Sequence, residues 1–262
     1  MPQLRVSGQI PERATSDISA FSFRWPASMM EGVIRIGLLR MAELPDAALS
    51  VAGPMAGLYQ QLFRGHAVEV LDVPVHEGAT PASLADCDGW MISGSPASVY
   101  DDHDWIRTGE EIVRAAHAEE RPLIGICFGH QLIAQALGGR VEKSAAGWGI
   151  GARVYDVVRP VPFFDNRTIT LLASHQDQVV EVPTDATIWS TSDYCLVAGF
   201  TIGERTITVQ GHPEYSPELV AALYESRRQR IGDDAVEVAL ATLTTPLSND
   251  AFADAIVRLI AR

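Results

Sequence analysis

Pro122-Leu-Ile-Gly125-Ile-Cys127-Phe-Gly129-His-Gln131 reads as a buried strand, a cysteine between two glycines, and then a helix. Gly125-Ile126-Cys127-Phe128-Gly129 has the G-x-nucleophile-x-G spacing of a strained strand-to-helix elbow, with cysteine in the nucleophile slot. Glycines flank such an elbow because little room is left for side chains there. The helix expected over Gly129–Leu137 directs its N-terminus at the sulfur, and its partial positive charge favours thiolate. Cys127 is therefore a candidate for covalent attack on a carbonyl.

Outward from the elbow, apolar runs alternate with amphipathic segments. Strands are expected at Val33–Leu39, Ala67–Leu71, Gly89–Ser93 and Pro122–Ile126, with helices at Pro54–Phe63 and Trp105–Glu119. Strands joined by crossover helices form a doubly wound α/β fold with a mostly parallel sheet. Ligands bind at the carboxyl ends of its strands, where Cys127 lies. After Gly139 the elements shorten. Val141–Glu142, Ala152–Val158, Thr168–Ala173, Ile188–Ser192, Leu196–Phe200 and Thr206–Gln210 read as the rest of the sheet plus a small antiparallel layer. Helices close the chain at Pro217–Gln229, Asp233–Leu243 and Asn249–Ile260, the last with Asn249 as N-cap. Residues 1–31 lack the apolar core of a secretory signal and read as a flexible tail, leaving 32–262 as one domain.

Composition removes several function classes. The chain has 262 residues and a net charge of -13, with no basic stripe to neutralise nucleic-acid phosphates or to hold an anionic membrane. No apolar run is long enough for a transmembrane helix. Its three cysteines, Cys87, Cys127 and Cys195, form no CxxC pair, so neither a disulfide framework nor a zinc site is indicated. Free thiols suit a reducing, cytoplasmic setting. Asp101-Asp102-His103-Asp104 reads as a solvated acidic loop with Asp104 as a helix N-cap, not as a metal site. No cofactor or metal is implied.

A nucleophilic cysteine needs a base, an orienting group and an oxyanion site. Gly211-His212-Pro213-Glu214-Tyr215 ends the strand at Thr206–Gln210 and supplies the first two. Alternate side chains of an extended strand end share a face, which sets the Glu214 carboxylate beside the His212 imidazole. His212 would move the proton and Glu214 would fix its tautomer. Met91-Ile-Ser-Gly94-Ser95-Pro96 runs from a strand into a turn, where the backbone amides of Ser95 and Phe128 can form an oxyanion hole. Gly94 would allow close approach of substrate. Cys87 and Cys195 read as inert buried thiols, and His130 as a packing residue.

Gly-Ile-Cys-Phe-Gly-His-Gln (125–131) together with Gly-His-Pro-Glu-Tyr (211–215) resembles the class I glutamine amidotransferase family. Ile-Ser-Gly-Ser-Pro (92–96), Leu-Gly-Gly (137–139) and Ser-His-Gln-Asp (174–177) extend the likeness over roughly residues 32–220. The resemblance implies a flavodoxin-like sheet and a Cys127-His212-Glu214 triad. It also implies that Gln131 contacts the amino or carboxylate end of a glutamyl group, and that Ser174, His175, Gln176 and Asp177 form a loop beside that pocket. The implied reaction is attack on a γ-glutamyl amide, a γ-glutamyl thioester, and hydrolysis to glutamate. The chain departs from the family in carrying Ser95 where many members have glycine, and in lacking a synthetase segment. The full pattern is most similar to the stand-alone γ-glutamyl peptidase branch and to the glutaminase part of guanosine monophosphate synthetase. Three activities follow as expectations: a hydrolase of a small γ-glutamyl substrate acting alone, a subunit feeding ammonia to a synthetase partner, or a catalytically silent binding protein.

Overall fold

The computed structural model describes residues 32–161, 164 and 166–262. The tail expected over residues 1–31 lies outside them. In chain order the elements are β1 (Ile34–Arg40), α1 (Asp46–Ala52), α2 (Met55–Leu62), β2 (Val68–Pro74), β3 (Gly89–Ile92), α3 (Asp104–Ala118), β4 (Leu123–Ile126), α4 (Phe128–Ala136), β5 (Arg140–Lys143), β6 (Gly149–Val157), β7 (Thr168–His175), β8 (Asp177–Glu181), β9 (Ala186–Thr191), β10 (Gly199–Ile202) and β11 (Thr206–Val209). Helices α5 (Pro217–Ser226), α6 (Arg228–Ile231), α7 (Asp233–Ala241) and α8 (Asn249–Ile260) complete the chain.

A nine-stranded sheet has the order β2-β1-β3-β4-β11-β10-β9-β6-β7. The first five strands run parallel, in the flavodoxin-like order whose switch point lies between β1 and β3. The other four are antiparallel and continue the same sheet, and β5 pairs with β8 in a separate two-stranded ribbon.

The central strands are apolar at nearly every position because both faces are covered. Ile36, Leu38, Met91, Ile124 and Ile126 point into one core cluster with residues of α1, α2, α5 and α8. Their neighbours Leu39, Trp90, Ile92 and Leu123 point into the other, with residues of α3 and α4. This is the two-residue alternation of a strand, sorting one apolar run into two cores.

Several boundaries differ from the sequence expectation for identifiable reasons. Helix α1 has no sequence signal of its own and buries only Ala48. The helix expected over Pro217–Gln229 breaks at Arg227, because Ser226 Oγ donates to the Leu223 carbonyl and competes with the helical bond there. The strand expected from Leu196 begins at Gly199, and Leu196 is exposed. Two caps move by one residue. His103 is the N-cap of α3, while Asp104 pairs with Arg107 inside the first turn. Ser248 precedes α8, and Asn249 Nδ2 instead donates to the Tyr215 carbonyl at 3.1 Å. None of the helices among the described residues is long and apolar enough to cross a membrane.

Candidate active site

Cys127 stands between β4 and α4 with φ 52° and ψ -101°, a left-handed conformation rare for a residue with a side chain. Its neighbours make the turn possible. A Cβ on Gly129 would lie 2.3 Å from the Ile92 carbonyl oxygen, and one on Gly125 would lie 2.7 Å from the Gly129 carbonyl oxygen. Only glycine fits either place. The Cys127 N–H donates to the Val209 carbonyl of β11 at 2.9 Å, which ties the elbow to the strand that carries His212.

The chain leaves β11 through Gln210 and Gly211, and the His212 N–H bonds the Leu172 carbonyl of β7 at 2.8 Å. The backbone then turns at Pro213–Glu214. Glu214 therefore does not reach His212 by sharing the face of an extended strand, as the sequence spacing suggested. The turn folds its carboxylate back, and Glu214 Oε1 accepts from His212 Nδ1 at 2.7 Å. Both side chains are buried. The imidazole lies beside Cys127: one Cβ placed on Gly94 would be 2.9 Å from His212 Cε1 and 3.8 Å from Cys127 Cβ. Burial alone would lower the His212 pKa. The Glu214 carboxylate and Cys127 outweigh that and raise it from 6.5 to about 10.

Residues to which the sequence assigned no role complete this arrangement. Tyr59 of α2 is fully buried, and its hydroxyl donates to Glu214 Oε1 at 3.3 Å. Tyr215 stacks on His212 with ring centroids 3.8 Å apart. Gln210 Nε2 donates to Cys127 Sγ at 3.5 Å. Ser93 accepts from the Met41 N–H at 2.9 Å and donates to the Gly94 carbonyl at 3.0 Å. A trans peptide points its C=O and N–H in opposite directions, so this bond turns the Ser95 N–H away from Ser93. Ser95 Oγ accepts from the Ala97 N–H at 3.3 Å. Phe128 opens α4, where its N–H has no carbonyl one turn back to bond. Gly94 packs on the imidazole; a Cβ there would lie 2.9 Å from His212 Cε1.

Cys127, His212, Gly94 and Ser95 line a cleft of about 300 Å³. Gln131, Ser174, His175, Gln176 and Asp177 line it too, but the last four are not a simple loop. Ser174 and His175 end β7, and Asp177 starts β8. Gln131 Nε2 spends both its hydrogens, on the Asp177 carbonyl at 2.8 Å and on Gln210 Oε1 at 3.0 Å, which leaves Gln131 Oε1 as an acceptor. His175 Nδ1 lies 3.1 Å from the Asp177 carbonyl, and burial lowers its pKa to about 4. It is a neutral imidazole with Nδ1–H donating, and its buried Nε2 has no partner among the described residues. Asp177 accepts from Ser98 Oγ at 2.5 Å.

The residues given no role stay outside the cleft. His130 is fully buried, 2.8 Å from Thr208 Oγ1 and packed on Phe200. Burial lowers its pKa to about 3. Cys87 and Cys195 are buried free thiols whose pKa burial raises to about 11 and about 12. Among the described residues no three His, Cys, Asp or Glu side chains converge as metal ligands would.

A cysteine on a glycine elbow, a carboxylate-bound histidine beside it, and a cleft at the switch point of a flavodoxin-like sheet define a class of thiol-dependent acyl-transfer sites. The family model Glutamine amidotransferase class-I matches residues 57–225, and the chain belongs to that family. It is 33% identical over 141 residues to gamma-glutamyl peptidase 3 of Arabidopsis thaliana, a match covering 51% of this chain and 57% of the relative. It is 32% identical over 165 residues to a glutamine-hydrolysing GMP synthase subunit of Halobacterium salinarum, covering 62% of this chain and 84% of that one. The match spans little more than half the length of the peptidases. The fold is shared with a glutamine amidotransferase of Thermotoga maritima, at a TM-score of 0.70 and 18% identity over 88% of this chain and 97% of that one.

Proposed function

We propose that the protein hydrolyses a γ-glutamyl amide through a γ-glutamyl thioester on Cys127. The observation that carries this reading is the hydrogen-bonded Glu214–His212 pair set beside Cys127 in one cleft. The sulfur attacks the γ-carbonyl carbon as thiolate, and the carbonyl oxygen becomes an oxyanion facing the Ser95 and Phe128 amides. The C–N bond then breaks, and the leaving nitrogen takes the His212 proton. Water attacks the thioester, gives its proton to His212, and releases glutamate and the thiolate. Gln131 Oε1 and the bare Nε2 of His175 are acceptors, and both suit the α-ammonium group of the glutamyl moiety. Glu214 holds the imidazole with Nδ1 as donor, which leaves Nε2 for the reaction.

Purified protein is expected to release glutamate from a panel of γ-glutamyl compounds, and Cys127→Ser to release none. A panel without turnover, with Cys127 unmodified by an electrophilic glutamine analogue, overturns the reading and favours a silent binding protein. The likeness to the GMP synthase subunit of Halobacterium salinarum supports a second reading, in which the cleavage supplies ammonia to a separate synthetase. That reading predicts weak turnover alone and strong stimulation by the partner. The three free thiols fit a cytoplasmic setting.

A further inference from the structure

The outer wall of the cleft carries an unbalanced positive charge in a chain whose net charge is -13. Its acidic side chains are already engaged. Glu43 accepts from the Leu44 and Met55 amides at 2.8 Å and from Arg40 at 3.2 Å, and Asp177 accepts from Ser98. Its cations Arg227, Arg230 and Lys143 join no ion pair among the described residues. Seven other arginines of the described chain do: Arg35, Arg40, Arg107, Arg114, Arg121, Arg140 and Arg228.

Two of these unpaired cations are also held in place. Arg227 sits at the break between α5 and α6, and its guanidinium donates to Ser174 Oγ at 3.0 Å. Arg230 lies three residues on, lines the same cleft, and stacks 4.6 Å over the Trp148 ring. Guanidinium groups fixed in this way lose less freedom when they bind a planar carboxylate.

The reaction places this pair relative to substrate. His212 delivers the proton to the leaving nitrogen, so the leaving group lies on the His212 side of the sulfur. Tyr215 stacks on His212 there, and Leu223 and Arg227 line the same cleft. The hydrolase reading sets the glutamyl ammonium at Gln131 Oε1 and His175 Nε2. We infer that Arg227 and Arg230 form a subsite for a carboxylate on the leaving amine, so that the preferred substrate is a γ-glutamyl amino acid or peptide with a free C-terminus rather than glutamine. The inference rests on the hydrolase reading above.

The test compares a γ-glutamyl dipeptide acid, its C-terminal amide and glutamine, on the wild type and on Arg230→Gln and Arg227→Gln. A charge-assisted pair predicts that wild-type kcat/KM for the acid exceeds that for the amide about tenfold or more. The acid-to-amide ratio is expected to fall toward one in each variant. Arg230 is exposed, so its variant leaves the core intact. Equal efficiency on acid and amide, with turnover present, overturns the subsite and leaves the hydrolase reading standing. So does an equal loss on all three compounds in the variants, which assigns the arginines to the glutamyl carboxylate. If nothing is turned over, the hydrolase reading falls instead. The affinities of Cys127→Ser protein for acid and amide, measured by calorimetry, then decide the subsite separately: tighter binding of the acid supports it and equal binding overturns it.

Discussion

His212 is the residue on which the chemistry and the electrostatics meet. Burial opposes its charged form, and the carboxylate 2.7 Å away and the adjacent Cys127 more than offset that. A folded-state pKa raised from 6.5 to about 10 contributes stability that is full below pH 6.5 and lost as the pH climbs through 10. Wild-type melting temperature should therefore fall across that window. Glu214→Gln, which keeps the shape and removes the charge, should flatten the fall when the two melting curves are compared over pH. The same change should lower kcat by roughly 10²–10⁴-fold, in keeping with lost proton-transfer catalysis. An unchanged kcat would mean that Glu214 does not act through His212. The partners of this histidine differ in how readable they are. Glu214 is two residues away and could be named from spacing. Tyr59, which reaches Glu214 across 155 positions, could not.

At the scale of elements, the elbow is held by backbone crowding that sequence reading recognises well, because it leaves glycine as the only fit. A methyl group on Gly129 meets the Ile92 carbonyl at 2.3 Å, so β3 and α4 must separate to admit it. Gly129→Ala should cost about 1–3 kcal/mol of stability in denaturant titration and should lower activity further by shifting Cys127. A stable, fully active variant would contradict the close approach of β3 and α4. The parallel half of the sheet was legible for a related reason: strands covered on both faces are long apolar runs between turn signals. Helix α1, the β8 strand and the break at Arg227 were not. Their residues carry weak periodicity, and tertiary partners set the limits of the last two: β8 pairs with β5, and Arg227 bonds Ser174.

Across the whole molecule, one cleft collects residues from loops after β1, β3, β4 and β11, from β7 and β8, and from the α5–α6 junction. The carboxyl ends of parallel strands bring Cys127, the Gly94–Ser95 turn and His212 together, as a doubly wound sheet does. The antiparallel half adds the wall that carries Ser174, His175 and Asp177. Sequence motifs marked Cys127, His212 and Glu214, because the proposed chemistry demands fixed residue types at fixed spacing. They did not mark Tyr59, Arg227 or Arg230, which reach the cleft only once distant segments meet. The central claim is that Cys127 accepts a γ-glutamyl group from an amide. Rapid acid quench of the protein during turnover of a γ-glutamyl dipeptide, followed by peptide mass spectrometry, tests it most directly. A γ-glutamyl mass increment is expected on the peptide containing Cys127, absent from Cys127→Ser. Steady turnover with that peptide unmodified, or an increment on another residue, would contradict it.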